Sequence, residues 1–242
     1  MCCLFASVVG CGQPQLLREQ RQPTDDFAKL LTLNYEQFAA IEDLKLRARV
    51  RLRMEGREER AMALLMYVKP DMFRIDVRGP LFSHILTAVT QQDTLILVTP
   101  EGSWKGSTDT SLSNLIGIDL SGYDLGMLML GGVVPAPIDS SVIVEYLRAD
   151  RVVLPLVQAD ATRRVTVDLY RGLIIAEQFI SARASWHREL EEYRRVGSSL
   201  LPGKMSIRQG ENHMLLEYGE FRINQGLPIE EFLRGVPEIV QP

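Results

Sequence analysis

The stretch Leu46-Arg47-Ala48-Arg49-Val50-Arg51-Leu52-Arg53-Met54 alternates apolar and cationic residues without a break. A β-strand presents successive side chains to opposite faces. This period of two therefore puts Leu46, Ala48, Val50, Leu52 and Met54 on one face and Arg47, Arg49, Arg51 and Arg53 on the other. A helix, at about 3.6 residues per turn, would mix the two sets around its circumference. The apolar face has to be covered by other parts of the chain. The arginine face reads as a solvated outer surface or, in the alternative reading, as the face that meets a protein partner.

The residues that follow continue in the same style. Gly56 marks a turn, Ala61 to Tyr67 forms an apolar strand, and Lys69-Pro70-Asp71 turns again. Phe73, Ile75 and Val77 alternate with Arg74, Asp76 and Arg78 in a third strand, which Gly79-Pro80 breaks. Two further strands, Ile85 to Thr90 and Thr94 to Val98, join at Gln91-Gln92-Asp93, and Pro100-Glu101-Gly102 turns into Trp104. Short strands separated by tight turns predict an antiparallel meander. Upstream, Thr24-Asp25-Asp26 supplies caps for a helix from Phe27 to about Ile41, with Leu30, Leu31, Phe38 and Ile41 on one side.

The pattern then changes. Ser111 to Ile116 and Ser121 to Leu130 read as helical, with an apolar patch at Leu125, Leu128 and Met129 that Gly131-Gly132 terminates. Strands return at Val142–Leu147, Val152–Val157, Val165–Tyr170, Leu173–Phe179, Trp186–Arg195, Lys204–Gln209 and Met214–Asn224, with a hairpin turn at Tyr170-Arg171-Gly172-Leu173. Pro228 to Phe232 closes with a short helical turn. The expected architecture is mainly β, of the α+β class: an unclosed antiparallel half-barrel of about eleven strands, curled because a flat sheet of that size is unfavourable. Helices on one side of it form a lid.

Composition supports one sizeable core. The chain has 242 residues, 46% hydrophobic and 24% charged, enough to fold without staples. A net charge of -4 lacks the basic surplus that a nucleic-acid binder needs. Cys2, Cys3 and Cys11 all lie at the start, which leaves the rest of the chain without a disulfide framework or a cysteine zinc site. His84, His187 and His213 are scattered, and His187-Arg188-Glu189 lacks the two-histidine spacing of a metalloprotease helix. No Gly-x-Ser-x-Gly elbow and no phosphate-binding glycine loop occur, and Asp119, Asp124 and Asp139 read as caps. No catalytic residue, metal or cofactor is therefore expected, and the chain is read as non-enzymatic. Met62, Met66, Met72, Met127, Met129 and Met205 lie in apolar stretches, where thioethers suit an ordinary core or an adaptable cavity.

The N-terminus carries a processing pattern. Residues 1–10 are apolar and uncharged, and Val8-Val9-Gly10-Cys11 resembles the bacterial lipobox. That resemblance implies that residues 1–10 are a signal-peptide remnant and that Cys11 is the lipidated residue. Two or three acyl chains there make a stable anchor. No Lys or Arg precedes Arg18, so the start of the signal peptide is expected upstream of Met1. Residues 11–23 are Gln-rich and broken by Pro14 and Pro23, a tether composition, and residues 24–242 form the domain. No apolar run reaches the roughly 20 residues of a transmembrane helix.

The order of these pieces resembles the LolA/LolB lipoprotein-localisation family, and more closely a group of bacterial outer-membrane lipoproteins placed beside it. The carrying residues are Leu46 to Met54, Tyr67-Val68-Lys69-Pro70-Asp71-Met72-Phe73-Arg74-Ile75, Val77-Arg78-Gly79-Pro80-Leu81, Leu115-Ile116-Gly117-Ile118, Leu128-Met129-Leu130-Gly131-Gly132, Asn224, Leu227-Pro228, Phe232 and Pro237. The resemblance implies an open β-barrel whose apolar concave face, under a helical lid, holds acyl chains of lipids or lipoproteins. It also implies an outer-membrane location facing the periplasm. In membrane-anchored members a loop between the third and fourth strands carries a functional leucine; Leu81, with Phe82 beside it, matches that place. Residues 181–203 depart from the family pattern, which leaves room for a relative that binds another lipid. It also leaves room for a non-catalytic scaffold in an envelope complex.

Overall fold

The alternating stretch forms the middle of a long strand, β1 (Asp43–Met54), in which Arg47, Arg49, Arg51 and Arg53 are exposed and Leu46 and Ala48 are buried. Glu55 and Gly56, both with positive φ (50° and 78°), make the two-residue turn into β2 (Arg57–Val68), so that Met54 pairs with Arg57. Positive φ at both positions suits the right-handed twist of a hairpin. The meander continues through β3 (Met72–Arg78), β4 (His84–Gln91), β5 (Thr94–Thr99) and β6 (Gly102–Ser107). These elements belong to a computed structural model that describes residues 26–70, 72–91, 94–107, 117–120, 125–133, 136–139, 144–157 and 161–236.

Two helices flank this half: α1 (Phe27–Ala39), capped by the Asp26 side chain at the Lys29 amide, and α2 (Leu125–Leu130). The second half runs through β7 (Glu145–Arg148), β8 (Arg151–Leu156), β9 (Ala161–Asp168), β10 (Leu173–Ser181) and β11 (Ser185–Glu191). Then come β12 (Arg194–Val196), β13 (Ser199–Leu201), β14 (Lys204–Gln209), β15 (Asn212–Ile223) and α3 (Ile229–Phe232).

All but β12 and β13 join one 13-stranded antiparallel sheet, in the order β6-β5-β4-β3-β2-β1-β15-β14-β11-β10-β9-β8-β7. The first half steps outward from β1, and the second steps back from the far edge until β15 lies beside β1. The two halves are thus sewn together at β1–β15. Their ladder bulges between Leu46/Ala48 and Phe221/Tyr218, a device that bends and twists a strand pair. Gly219 permits the close approach: a Cβ there would sit 3.2 Å from the Arg47 carbonyl oxygen. Edge strands β6 and β7 do not pair with each other among the described residues, so the sheet is an unclosed barrel.

The strand count exceeds the expected eleven or so for two reasons. β6 around Trp104 is exposed along most of its length and has no apolar face, so it carries no burial periodicity to read. The expected strand Trp186–Arg195 instead stops at Glu191. Glu192 turns the chain at φ 57°, and β12 and β13 form a separate hairpin. This hairpin lies within the segment that departs from the family pattern. It reaches α1, where the Leu200 amide donates to Gln37 Oε1 at 3.2 Å.

The sheet has an inner face, carrying α1 and α2, and an outer face. The main core occupies the inner face, where Leu30, Leu31 and Phe38 of α1 and Leu128 of α2 pack onto Leu46, Leu65, Val165, Trp186 and Leu216. Phe179 and Trp186 stack there with centroids 5.2 Å apart.

The helices are not all on one side, as expected, because α3 crosses to the outer face. Phe232, fully buried, packs on Met66 and Val89 there. Arg74 holds the segment down: its Nη1 donates to the carbonyls of Phe232 (2.6 Å) and Arg234 (2.7 Å), while Asp76 accepts from its Nε and Nη2. Lys45 pairs with Glu231 and holds that carboxyl below the usual carboxylate range. Asn224 ties the start of this strap to the α1–β1 junction, accepting from the Glu42 amide at 2.8 Å and donating to the Ala40 carbonyl at 2.9 Å. Phe232→Ala should cost about 3–5 kcal/mol in urea unfolding, the loss for truncating a buried aromatic.

Candidate functional site: a lidded inner face and an arginine groove

Strand β11 places Trp186, Arg188 and Leu190 on the inner face, so period two carries a guanidinium into the apolar core. Arg188 and Glu177 are both fully withdrawn from solvent, and Arg163 nearly so. Glu177 takes Arg188 on one carboxylate oxygen and Arg163 Nε on the other at 2.5 Å. A buried charge is tolerated only when paired and hydrogen-bonded, so the remaining donors of Arg188 need acceptors too. The C-terminal end of α2 supplies them: Arg188 donates to the carbonyls of Leu128 (2.5 Å) and Gly132 (3.0 Å). Terminal carbonyls lack partners inside a helix and carry the negative end of its dipole, so a cation there satisfies both.

Tyr218 adds a second tie, its hydroxyl donating to the Met129 carbonyl. Burial raises its pKa well above the ordinary tyrosine range, so it keeps its proton and remains a donor. Gly131 adopts φ 80° and closes α2 in the manner expected of Gly131-Gly132. Gly132 is the contact point of the two helices: a Cβ there would meet the Phe38 ring at 3.0 Å and the Met127 side chain at 2.5 Å. The helices are therefore laid across the inner face and latched from below. Their buried side chains and those of the sheet belong to one contiguous cluster.

The outer face carries hollows. One, of about 390 Å³, is lined by Arg49, Arg51, Arg60, Arg78, Met62 and Glu217, among others. Glu58, which pairs with two of these arginines, accepts from Arg60 at 2.8 Å and lies 3.8 Å from Arg51, and both lower its pKa. Arg49 and Arg78 form no ion pair with a carboxylate among the described residues. A second hollow of about 310 Å³, lined by Glu145, Arg164, Thr166, Gln178 and His187, lies further along the same face.

Gly79 and Pro80 form one wall of the arginine groove and lead into a single 3-10 turn, Pro80–Phe82. Leu81 projects from it with 98% of its surface exposed, at φ 57° and ψ 27°. The turn is braced: the Gly79 amide donates to the Ser83 carbonyl at 2.9 Å, and Ser83 Oγ donates to the Pro80 carbonyl at 3.0 Å. A left-handed conformation is costly for a leucine. Here it turns an apolar side chain to solvent rather than into the core.

The residues singled out in the sequence therefore divide. Leu128 and Met129 belong to the lid helix α2 and are buried in the main core. Arg47, Arg49, Arg51 and Arg53 lie on the outer face, and Leu81 projects beside them. Phe82 and Leu125 lie in the Pro80–Phe82 turn and in α2, but their side chains are outside the described part, as is the whole of Cys11. His84, His187 and His213 do not come together, and no group of three or more His, Cys, Asp or Glu among the described residues could hold a metal ion. Sequence reasoning missed the Arg163–Glu177–Arg188 cluster. The signal was present: each residue shares strand parity with apolar neighbours, Arg163 with Val165, Glu177 with Phe179 and Arg188 with Trp186.

Sequence comparison finds no matching family model and no matching curated relative. Solved structures do match. A DUF1329 family protein from Desulfovibrio piger superposes with a TM-score of 0.63 at 12% identity, covering 88% of this chain and 98% of its own. A structure from Vibrio parahaemolyticus, described as an outer membrane lipoprotein-sorting protein domain, gives 0.63 at 12% identity, covering 85% and 95%. A LolA superfamily protein from Nitrosomonas europaea gives 0.53 at 12% identity, covering 84% and 96%. At that identity the likeness is one of fold, and it agrees with the unclosed sheet and its overlying helices: this chain has a LolA/LolB-like fold.

Proposed function

We propose that this chain is a lipid-anchored protein of the outer membrane, facing the periplasm, that takes acyl chains of lipids or lipoproteins onto its inner face. The observation that carries the reading is the latch. Two helices cover an apolar half-barrel face and are held at α2 by the carbonyl bonds of Arg188 and Tyr218. An acyl chain enters by replacing the contacts of Leu30, Leu31, Phe38 and Leu128 as the helices lift. Each methylene so buried contributes about 0.8 kcal/mol, so a long chain can offset the lost lid contacts. The binding is non-covalent and needs no catalytic group. Leu81, rigidly presented, is the part that enters a bilayer or a cargo chain.

Native mass spectrometry with lipid extraction, on protein purified from the envelope, tests the reading. Co-purified lipid or acylated peptide is expected. Tyr218→Phe removes one latch bond worth about 1 kcal/mol and should raise uptake of a fluorescent fatty acid roughly fivefold. A clean mass with no uptake by either protein would overturn acyl binding.

The anchor is tested separately. The chain should fractionate with the outer membrane, and Cys11→Ser should move it to the soluble periplasmic fraction.

A further inference from the structure

The outer-face groove is used by nothing described so far. It brings Arg49 and Arg51 of β1, Arg60 of β2 and Arg78 of β3 around one hollow of about 390 Å³. That volume falls in the range of small-molecule sites. Cross-strand register explains the gathering: Arg51 lies opposite Arg60, and Arg49 opposite Met62, which lies opposite Arg78. Like charges facing each other across strands destabilise a sheet; Glu58 offsets the Arg51–Arg60 pair, and Glu217 lies opposite Arg49 in the β1–β15 ladder. Glu58 and Glu217 are the carboxylates at hand, and neither forms an ion pair with Arg49 or Arg78 among the described residues.

We infer that this groove binds the phosphates of anionic phospholipid headgroups and so sets which face of the protein lies against the membrane. Guanidinium groups present planar, fixed donors that match phosphate oxygens two at a time. The apolar neighbours select a lipid surface over a free ion. Leu81 projects from the wall formed by Gly79 and Pro80, Met62 is 44% exposed in the groove, and Ile85, just beyond the turn, is 39% exposed. Cations beside a protruding apolar side chain match the layering of a bilayer, with phosphates outside and hydrocarbon within. The inference rests on the reading of Leu81 as a membrane-entering residue and adds the headgroup chemistry to it.

The test is flotation of the full chain carrying Cys11→Ser, so that no acyl anchor contributes. It uses vesicles of phosphatidylcholine alone and vesicles of equal parts phosphatidylglycerol and phosphatidylcholine. Preference for the anionic vesicles is expected. R49Q/R78Q should lower that binding roughly 25-fold, about fivefold for each cation removed near a charged surface. R47Q/R53Q, which removes the same charge outside the groove, should lower it much less. R49K/R78K should restore most of it. The exposed positions of Arg49 and Arg78 keep folding out of the result, and circular dichroism checks this. Equal losses from R49Q/R78Q and R47Q/R53Q would mean diffuse attraction and overturn the groove. So would equal binding to both vesicle types, or binding of polyglutamate that R49Q/R78Q abolishes while lipid preference is absent, which would assign the groove to an acidic protein. Leu81→Ser reports on the underlying reading: it should weaken binding to both vesicle types. If it does nothing while R49Q/R78Q still acts on anionic vesicles, the role of Leu81 fails and the groove stands.

Discussion

A carboxylate buried between two guanidiniums organises this molecule. Glu177 joins Arg163 of β9 to Arg188 of β11, across the strand that carries Glu177 itself. Arg188 is wholly withdrawn from solvent, so its remaining donors need acceptors inside the protein. The carbonyls at the end of α2 take that role, so the position of the lid helix follows from the electrostatic need of the sheet beneath it. A purely apolar interface would hold α2 by area alone and would allow it to slide. Directional bonds to named carbonyls give one seated position, and breaking a small number of them releases it.

That arrangement also explains why the barrel can stay open. A 13-stranded sheet with an apolar inner face must close or be covered. Here α1, α2 and the β12–β13 hairpin supply the cover, and the bulge at β1–β15 supplies the curvature. The outer face is managed differently. Its middle is cationic and solvated, and the end around Met66 and Val89 is covered by the C-terminal strap, pinned by Arg74. A helical cover lies on one side, and an open charged surface with a projecting leucine lies on the other.

The strands and the two faces were legible in the order of the residues, because period-two alternation is a local property that any sheet must respect. Leu46 to Met54 gave its register away at once, and the arginine face followed from it. The helical turn at Phe232 was also readable, but its side of the sheet was not. Nothing near Pro228 tells that Phe232 will meet Met66 and Val89 on the outer face, because that contact joins segments far apart in the chain. The extra edge strand β6 escaped for the opposite reason: it buries almost nothing, so burial left no mark on its composition.

The sequence by itself determined the β-rich class, the antiparallel meander, the apolar patch of the lid and the arginine face. Each of these depends on neighbours a few residues apart. Tertiary structure alone decided that Arg163, Glu177 and Arg188 meet, that Arg188 reaches α2, and that Arg49, Arg51, Arg60 and Arg78 surround one hollow beside Leu81. Those meetings depend on which strands become neighbours and in what register. Register is settled by the burial of the whole inner face at once, and no single stretch of sequence contains that information.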